Sequence, residues 1–144
     1  QKNGQDQGPN QNKDGGKKES IDKEQKKKLS DWCKDVVKKL QDENSQNNSQ
    51  IEQDNNKIKD LESRKITKEQ EELVDKTIDD ASAGDPDNGK TFGRLARHAM
   101  IYRENQRIDK TVEKIKTQIT SLQKSNIINQ EIIKEYSRFI ISTN

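Results

Sequence analysis

The chain has few side chains that could hold a metal or act as a nucleophile with a base. It contains one histidine, His98, and one cysteine, Cys33. A zinc centre needs three or four such ligands, and a single cysteine excludes an internal disulfide. The sequence neighbours Asp31, Lys34 and Asp35 do not favour a reactive thiolate at Cys33. We therefore expect Cys33 to be a small buried apolar residue, and we predict neither a metal nor a cofactor.

The acidic side chains also give no catalytic pattern. The 26 Asp and Glu residues are spread along the chain, so no pair stands out as general acid and base. Residues 84–90, GDPDNGK, resemble the start of a calcium loop. That loop needs Gly at its sixth position and Glu at its twelfth, where this chain has Lys90 and Ala96. We predict that this segment is a turn and that the protein is not an enzyme.

The basic side chains favour a binding function instead. Four of the six arginines lie in residues 94–107, around Tyr102, and Arg and Tyr are common at the centres of protein interfaces. Arg64 and Lys65 come where a tight turn is predicted, at residues 64–67. A trypsin-like protease accepts one Arg or Lys in a pocket with an acidic floor, so a rigid corner presenting either residue would block it. An ordinary exposed turn is the alternative.

Charge and composition exclude other partners. The net charge is +2, the pI is about 8.5 and aromatic residues make up 3%, so the strong basic field and stacking platform of nucleic-acid binders are missing. Residues 44–90 hold 7 basic and 12 acidic side chains, whereas residues 91–144 hold 10 basic and 5 acidic. We expect these segments to lie side by side; the alternative is a basic face left free for a partner.

The element that positions the arginines is a predicted helix with an apolar seam. Apolar residues recur with a seven-residue period and at the intervening fourth position, as in helices that pack on other helices. The seam consists of Ile101, Ile108, Val112, Ile115, Ile119 and Leu122. Polar residues also fall on it, at His98, Asn105 and Asn126. We predict one long C-terminal helix, or two helices joined by a kink, over residues 92–141.

Three more helices are predicted upstream. The first covers residues 21–42 and carries an apolar stripe from Leu29 through Trp32 to Leu40. A polar break at 44–48 and a capping box at 49–52 start the second, which ends near residue 63. A second capping box, at residues 67–70, starts the third, which covers residues 68–82, buries Leu73, Val74 and Ile78, and ends at Gly84. The fold class is therefore all-α, an elongated bundle of four to five helices.

The N-terminal end is predicted to be a disordered tether. Residues 1–20 contain no apolar side chain, so they cannot repay the entropy of ordering. The helical binding domain then spans residues 21–144. No apolar run is long enough to cross a membrane. We expect membrane attachment only through a lipid anchor upstream of Gln1.

The abundance of Lys, Asn and Ile, the polar tether and the small helical domain together resemble the surface lipoproteins of Lyme and relapsing-fever spirochaetes. The chain is most similar to the helical C-terminal domain of their fibronectin-binding, complement-inhibiting family. The resemblance implies a lipid-anchored module on the bacterial outer surface that inhibits the initiating protease of the classical complement pathway. An extracellular-matrix protein is a second implied class of partner.

In that family, basic side chains block the protease active site. The predicted partner-binding residues here are Arg64, Lys65, Arg94, Arg97, Arg103, Lys134 and Arg138. The alternative function is an intracellular coiled-coil scaffold that self-associates through the seam at residues 101–122.

Overall fold

The structure is a computed structural model that describes the backbone of residues 10–84 and 87–143 and the side chains of residues 22–84 and 92–143. Three helices make up these ranges, and no strand occurs in them: α1, Asn10–Ser63; α2, Lys68–Ala81; and α3, Asp87–Thr143. The all-α class and the long C-terminal helix are confirmed. The prediction of four to five helices is wrong, because α1 runs unbroken through residues 44–48, where a break was expected, and residues 92–141 belong to one helix rather than two.

The polar run at residues 44–48 does not break α1. Asn44 is buried, and its Oδ1 accepts a hydrogen bond of 2.9 Å from Nδ2 of Asn129 on α3. The same Nδ2 donates to Oε1 of Glu43 at 2.7 Å. Asn disfavours helices because its amide competes for nearby backbone groups, and here that amide is bonded to another helix instead. Because α1 continues through residues 49–52, no helix begins there, and the capping box predicted at that place is wrong.

The second predicted capping box is confirmed. Thr67 is the N-cap of α2: its Oγ1 accepts from the backbone N–H of Gln70 at 3.1 Å, and Oε1 of Gln70 accepts from the backbone N–H of Thr67 at 2.9 Å. Gly84 follows α2 with φ of +99°, a conformation that favours glycine. Residues 85 and 86 of the predicted turn lie outside the described residues, and α3 begins at Asp87.

The chain divides into two compact units, and residues 47–123 form the central unit. Its core is a cluster of Ile58 from α1 with Val112, Ile115 and Ile119 from α3, all buried. Ile51, Leu61 and Ile108 pack against this cluster. The apolar seam of α3 is thereby confirmed, since its buried positions contact α1 within the same unit.

The terminal unit consists of residues 1–46 and 124–144. Cys33 is buried there, as predicted. The Trp32 ring lies 5.6 Å from the Tyr136 ring, centroid to centroid. Trp32 is nevertheless 53% exposed and Leu29 50% exposed, so the predicted core role of this stripe is only partly correct. In this contact between two helices, the Trp32 ring has one side against α3 and the other side in solvent.

The predicted tether overlaps the described residues only in part. Residues 1–9 lie outside them, and the backbone of residues 10–20 belongs to α1. The assignment of residues 1–20 as a tether stays a prediction.

Candidate functional site

The helix α2 is held on α3 by charged side chains. Asp75 is buried, and its carboxylate accepts hydrogen bonds from Nη2 of Arg97 at 3.0 Å and lies 2.6 Å from Nε2 of His98. The His98 ring also lies 3.3 Å from Oε1 of Glu71. Further along, Arg94 pairs with Asp79. From Glu71 to Asp79 on α2, the partners on α3 go back along the chain from His98 to Arg94, so the two helices run antiparallel. The expected neutralisation between the two segments is confirmed at this contact.

The apolar side chains of α2 are exposed instead. Leu73 is 63% exposed, and Val74 and Ile78 also fall in the exposed class, so their predicted burial is wrong. The reason lies on α3, which presents Arg94, Arg97 and His98 to this contact. Arg94 and Arg97 form ion pairs with the acidic face of α2, and the His98 ring hydrogen-bonds to Asp75, so the apolar residues of α2 face solvent.

Asp75 has a perturbed acidity as a result. Its pKa lies below the ordinary value of 3.8, chiefly because the His98 ring hydrogen-bonds to the carboxylate, with Arg97 and Arg94 adding to the effect. Loss of solvent around the carboxylate acts in the opposite direction and is outweighed. The carboxylate of Asp75 is therefore charged at neutral pH and serves as the anionic centre of the α2 contact.

The turn at residues 64–67 is the candidate functional site, and we call it the corner. The side chain of Arg64 is 65% exposed there. Its Nη2 donates to Oδ2 of Asp60 at 2.6 Å, one helical turn earlier, and Asp60 is itself 57% exposed. An exposed pair of this kind contributes only about 0.2–1 kcal/mol. Arg64 is thus available to exchange Asp60 for a carboxylate on another molecule.

The backbone beneath Arg64 is fixed by α3. Nζ of Lys65 lies 2.7 Å from Oδ1 of Asp109. Asn105 forms hydrogen bonds with both backbone polar groups of Ile66: its Oδ1 accepts from the N–H at 3.0 Å, and its Nδ2 donates to the C=O at 2.9 Å. Together with the capping box at Thr67, these bonds hold the corner in one conformation. Asn105 is a polar position of the predicted seam, and this is its role.

A groove lies beside the corner. It has a volume of about 380 Å³ and is lined by Lys65 and Ile66 from the corner and by Tyr102 and Asn105 from α3, among others. Tyr102 is 67% exposed, and its hydroxyl accepts from Nε2 of Gln106 at 3.0 Å. The two surfaces predicted separately, the basic turn and the helix around Tyr102, therefore meet at one groove.

Tyr102 also belongs to an exposed apolar stripe on α3. Phe92 is 75% exposed and Leu95 62% exposed. Residues 92, 95 and 102 are spaced so that their side chains share one helix face. Large exposed apolar groups along one face are typical of interaction surfaces.

The remaining predicted site residues are not gathered at the corner. Arg94 and Arg97 form ion pairs with Asp79 and Asp75 of α2. Arg103 is exposed on α3. Lys134 and Arg138 belong to the terminal unit, where Nη1 of Arg138 pairs with Oε1 of Glu135 at 3.2 Å. Only Arg64 and Lys65 of the predicted set lie at the corner.

Sequence reasoning missed the residues that fix this site. The sequence places Asn105 on the seam but does not reveal its two hydrogen bonds to the backbone of Ile66. It also does not distinguish Asp75 from the other acidic residues. A polar residue on an otherwise apolar seam is the signal that points to Asn105, because an amide placed at a helix contact tends to find hydrogen-bond partners there. Nothing local in the sequence marks Asp75.

The described residues offer neither a metal site nor a membrane-spanning helix. In the described parts of the chain, no group of three or more His, Cys, Asp and Glu side chains is placed to hold a metal ion. No helix within those parts is both long and apolar enough to cross a membrane. Comparisons with protein-family models, curated proteins and solved structures find no match to this chain.

Proposed function

We propose that the chain is a protein-binding module that inhibits a trypsin-like serine protease by inserting Arg64 into its specificity pocket. The observation that carries the proposal is the corner: an exposed arginine on a backbone held by bonds to α3 and by a capping box. The resemblance in composition and layout points to a host complement protease of the classical pathway. It also points to a lipid-anchored location on a bacterial outer surface.

The corner suits this role because its conformation is set before binding. Ordering a loop and its side chains on association lowers affinity, and a preformed loop avoids that cost. The backbone at Ile66 has both its N–H and its C=O bonded to Asn105, and Lys65 is tied to Asp109. Arg64 has to give up only one exposed carboxylate, that of Asp60. The specificity pocket of a trypsin-like protease supplies another at its floor.

The groove beside the corner supplies further contact area. A stable complex buries about 800 Å² on each partner, far more than one arginine side chain provides. Ile66 and Tyr102 line the groove, and both are exposed. Tyrosine is among the residues that contribute most at interfaces. A protease seated on Arg64 would cover these neighbours, so the partner surface extends from the corner along α3 toward Leu95.

Substituting Arg64 tests this proposal. We expect Arg64→Ala to lower affinity for a classical-pathway complement protease about 30-fold or more, since a central interface arginine contributes at least about 2 kcal/mol. Surface plasmon resonance with purified protease measures this loss. Circular dichroism of the variant should be unchanged, because Arg64 makes no buried contact.

Arg107→Ala is the matched control. The side chain of Arg107 is 67% exposed and pairs with Glu104 one helical turn earlier, much as Arg64 pairs with Asp60. It should bind like the unsubstituted chain. Equal losses in the two variants would show that net charge governs binding. Full binding by Arg64→Ala would rule out the corner, and Tyr102→Ala would then test the α3 face.

The second candidate function is the coiled-coil scaffold that self-associates through residues 101–122. In the central unit, Val112, Ile115 and Ile119 already pack against Ile58 of α1. Self-association through the seam would have to replace this packing with contacts to another chain. Sedimentation equilibrium separates the candidates: a monomer favours the binding module, and a stable dimer favours the scaffold.

A further inference from the structure

A second cleft, in the terminal unit, gathers unpaired positive charge. It has a volume of about 340 Å³ and is lined by four lysines of α1 and by Thr143 at the end of α3. The lysines are Lys23, Lys26, Lys27 and Lys34. Within residues 22–84 and 92–143, none of their ammonium groups has an ion-pair partner. One acidic side chain, Asp31, also lines the cleft, so positive charge remains in excess.

The lysines converge because of helix periodicity. Residues 23, 27 and 34 are separated by four and by seven positions, which places them along one face of α1. Lysines at such positions ordinarily spread into solvent, because like charges four residues apart repel each other by a few tenths of a kcal/mol. The C-terminal end of α3 attracts them with about half a negative charge. That partial charge does not balance four lysines, which leaves the cleft suited to an additional anion.

A buried hydroxyl at the same cleft strengthens this interpretation. Ser30 lines the cleft between the lysines and is only 4% exposed. Its Oγ is buried and has no hydrogen-bond partner among the described residues. Most buried hydroxyls are bonded, because leaving one unpaired is unfavourable. A ligand with several acceptor oxygens would accept this O–H once the side chain turns toward the cleft.

From these observations we propose that the cleft binds a tetrahedral oxyanion, the phosphate or sulfate group of a small ester. Lysine ammonium groups and a serine hydroxyl are donors that such oxyanions accept. The carboxylate of Asp31 repels an anion, so binding depends on the excess of lysines over this one acidic side chain. The site lies in the terminal unit and does not depend on the corner or on the proposed protease.

Titration with inorganic phosphate tests the site. The backbone amides of residues 26–34 are followed by ¹H–¹⁵N NMR at pH 7, with chloride exchanged for phosphate at constant ionic strength. We expect saturable shifts at these amides, with a dissociation constant in the range of about 1–10 mM, as suits a small exposed site. Inorganic sulfate in a parallel titration identifies the ester class: saturation by both oxyanions indicates either ester, and saturation by one selects it.

Variants separate a built site from general charge attraction. We expect Ser30→Ala and Lys27→Gln each to weaken phosphate binding by about threefold to tenfold, the net effect of losing one typical hydrogen bond. Lys38→Gln is the control, because Lys38 is exposed on the same helix and does not line the cleft. It should change binding less than about twofold, as surface charges contribute little. Shifts that never saturate, or equal weakening by Lys38→Gln, would overturn the proposal.

Discussion

At the scale of single residues, the polar side chains on the apolar seam of α3 are its most informative feature. His98 bonds to Asp75 of α2, Asn105 to Ile66 of the corner, and Asn129 to α1. Asn129 is buried, and a buried polar group without a partner is unfavourable, so Asn129 favours the one alignment in which its partners are opposite. His98 and Asn105 are partly exposed, and their hydrogen bonds also require their own partners to be opposite. The apolar residues alone would tolerate a shift by a heptad.

Asn129→Ala tests this role. The substitution removes the donor to Asn44 and Glu43, leaving the buried Asn44 amide without this bond. We expect the free energy of unfolding to fall by about 1–3 kcal/mol, the usual effect of an unsatisfied buried group. Urea denaturation followed by the fluorescence of Trp32 measures it. Gln130→Ala, at the exposed next position, should change stability by less than about 0.5 kcal/mol; a comparable loss in that variant would contradict the role assigned to Asn129.

At the scale of helices, α2 differs from the other two because its contact with α3 is ionic. Its apolar residues Leu73, Val74 and Ile78 are exposed, while Asp75 and Asp79 bind cations of α3. Ionic contacts weaken with salt, whereas apolar burial does not. The α2 helix should therefore open more readily than the core around Val112 and Ile115.

Acid should release α2 first. The pKa of Asp75 is lowered in the folded chain, so its contribution to stability is complete well above pH 3.8 and is lost as the pH falls through and below that value. The groups facing Asp75 from α3 are His98, Arg97 and Arg94. Hydrogen exchange measured by mass spectrometry at pH 6, and after brief exposure to pH 3, should show α2 losing protection before residues 108–119.

Asp75→Asn should produce the same selective opening at pH 6, because a neutral amide cannot balance the charge of Arg97. Asp80→Asn is the control, since Asp80 is exposed on the same helix. If α2 and residues 108–119 lost protection together, the ionic attachment would be the wrong account of α2.

Gly84, which follows α2, and Gly93, which lies within α3, should respond oppositely to substitution. Gly84 has φ of +99°, so Gly84→Ala is strained although nothing lies within 4 Å of the added methyl, and we expect a loss of about 1 kcal/mol. Gly93 lies within α3, and its added methyl would meet Nη1 of Arg97 at 3.7 Å, an ordinary contact. We expect Gly93→Ala to stabilise by about 0.5–1 kcal/mol, as for Gly to Ala within a helix. Thermal unfolding measures both; the same sign for both variants would contradict this assignment.

At the scale of the whole molecule, periodicity predicted the apolar core residues of α3, but it did not predict the contacts that polar side chains determine. The seam at Val112, Ile115 and Ile119 follows from spacing alone, and the Thr67 capping box follows from local hydrogen bonding. The continuity of α1 through Asn44 does not, because it depends on Asn129, which lies 85 residues away. The exposure of Leu73 likewise depends on the cations that α3 presents to α2. The corner was predictable as a turn, whereas its attachment to Asn105 and Asp109 required the fold.

The proposed inhibition depends on one event, the entry of Arg64 into the specificity pocket of the protease. The most direct measurement follows p-aminobenzamidine, a fluorescent ligand of that pocket, bound to a classical-pathway complement protease. We expect the chain to displace it with one-to-one stoichiometry, and Arg107→Ala to do the same, whereas Arg64→Ala leaves the ligand in place. A complex that forms while p-aminobenzamidine stays bound would contradict the account.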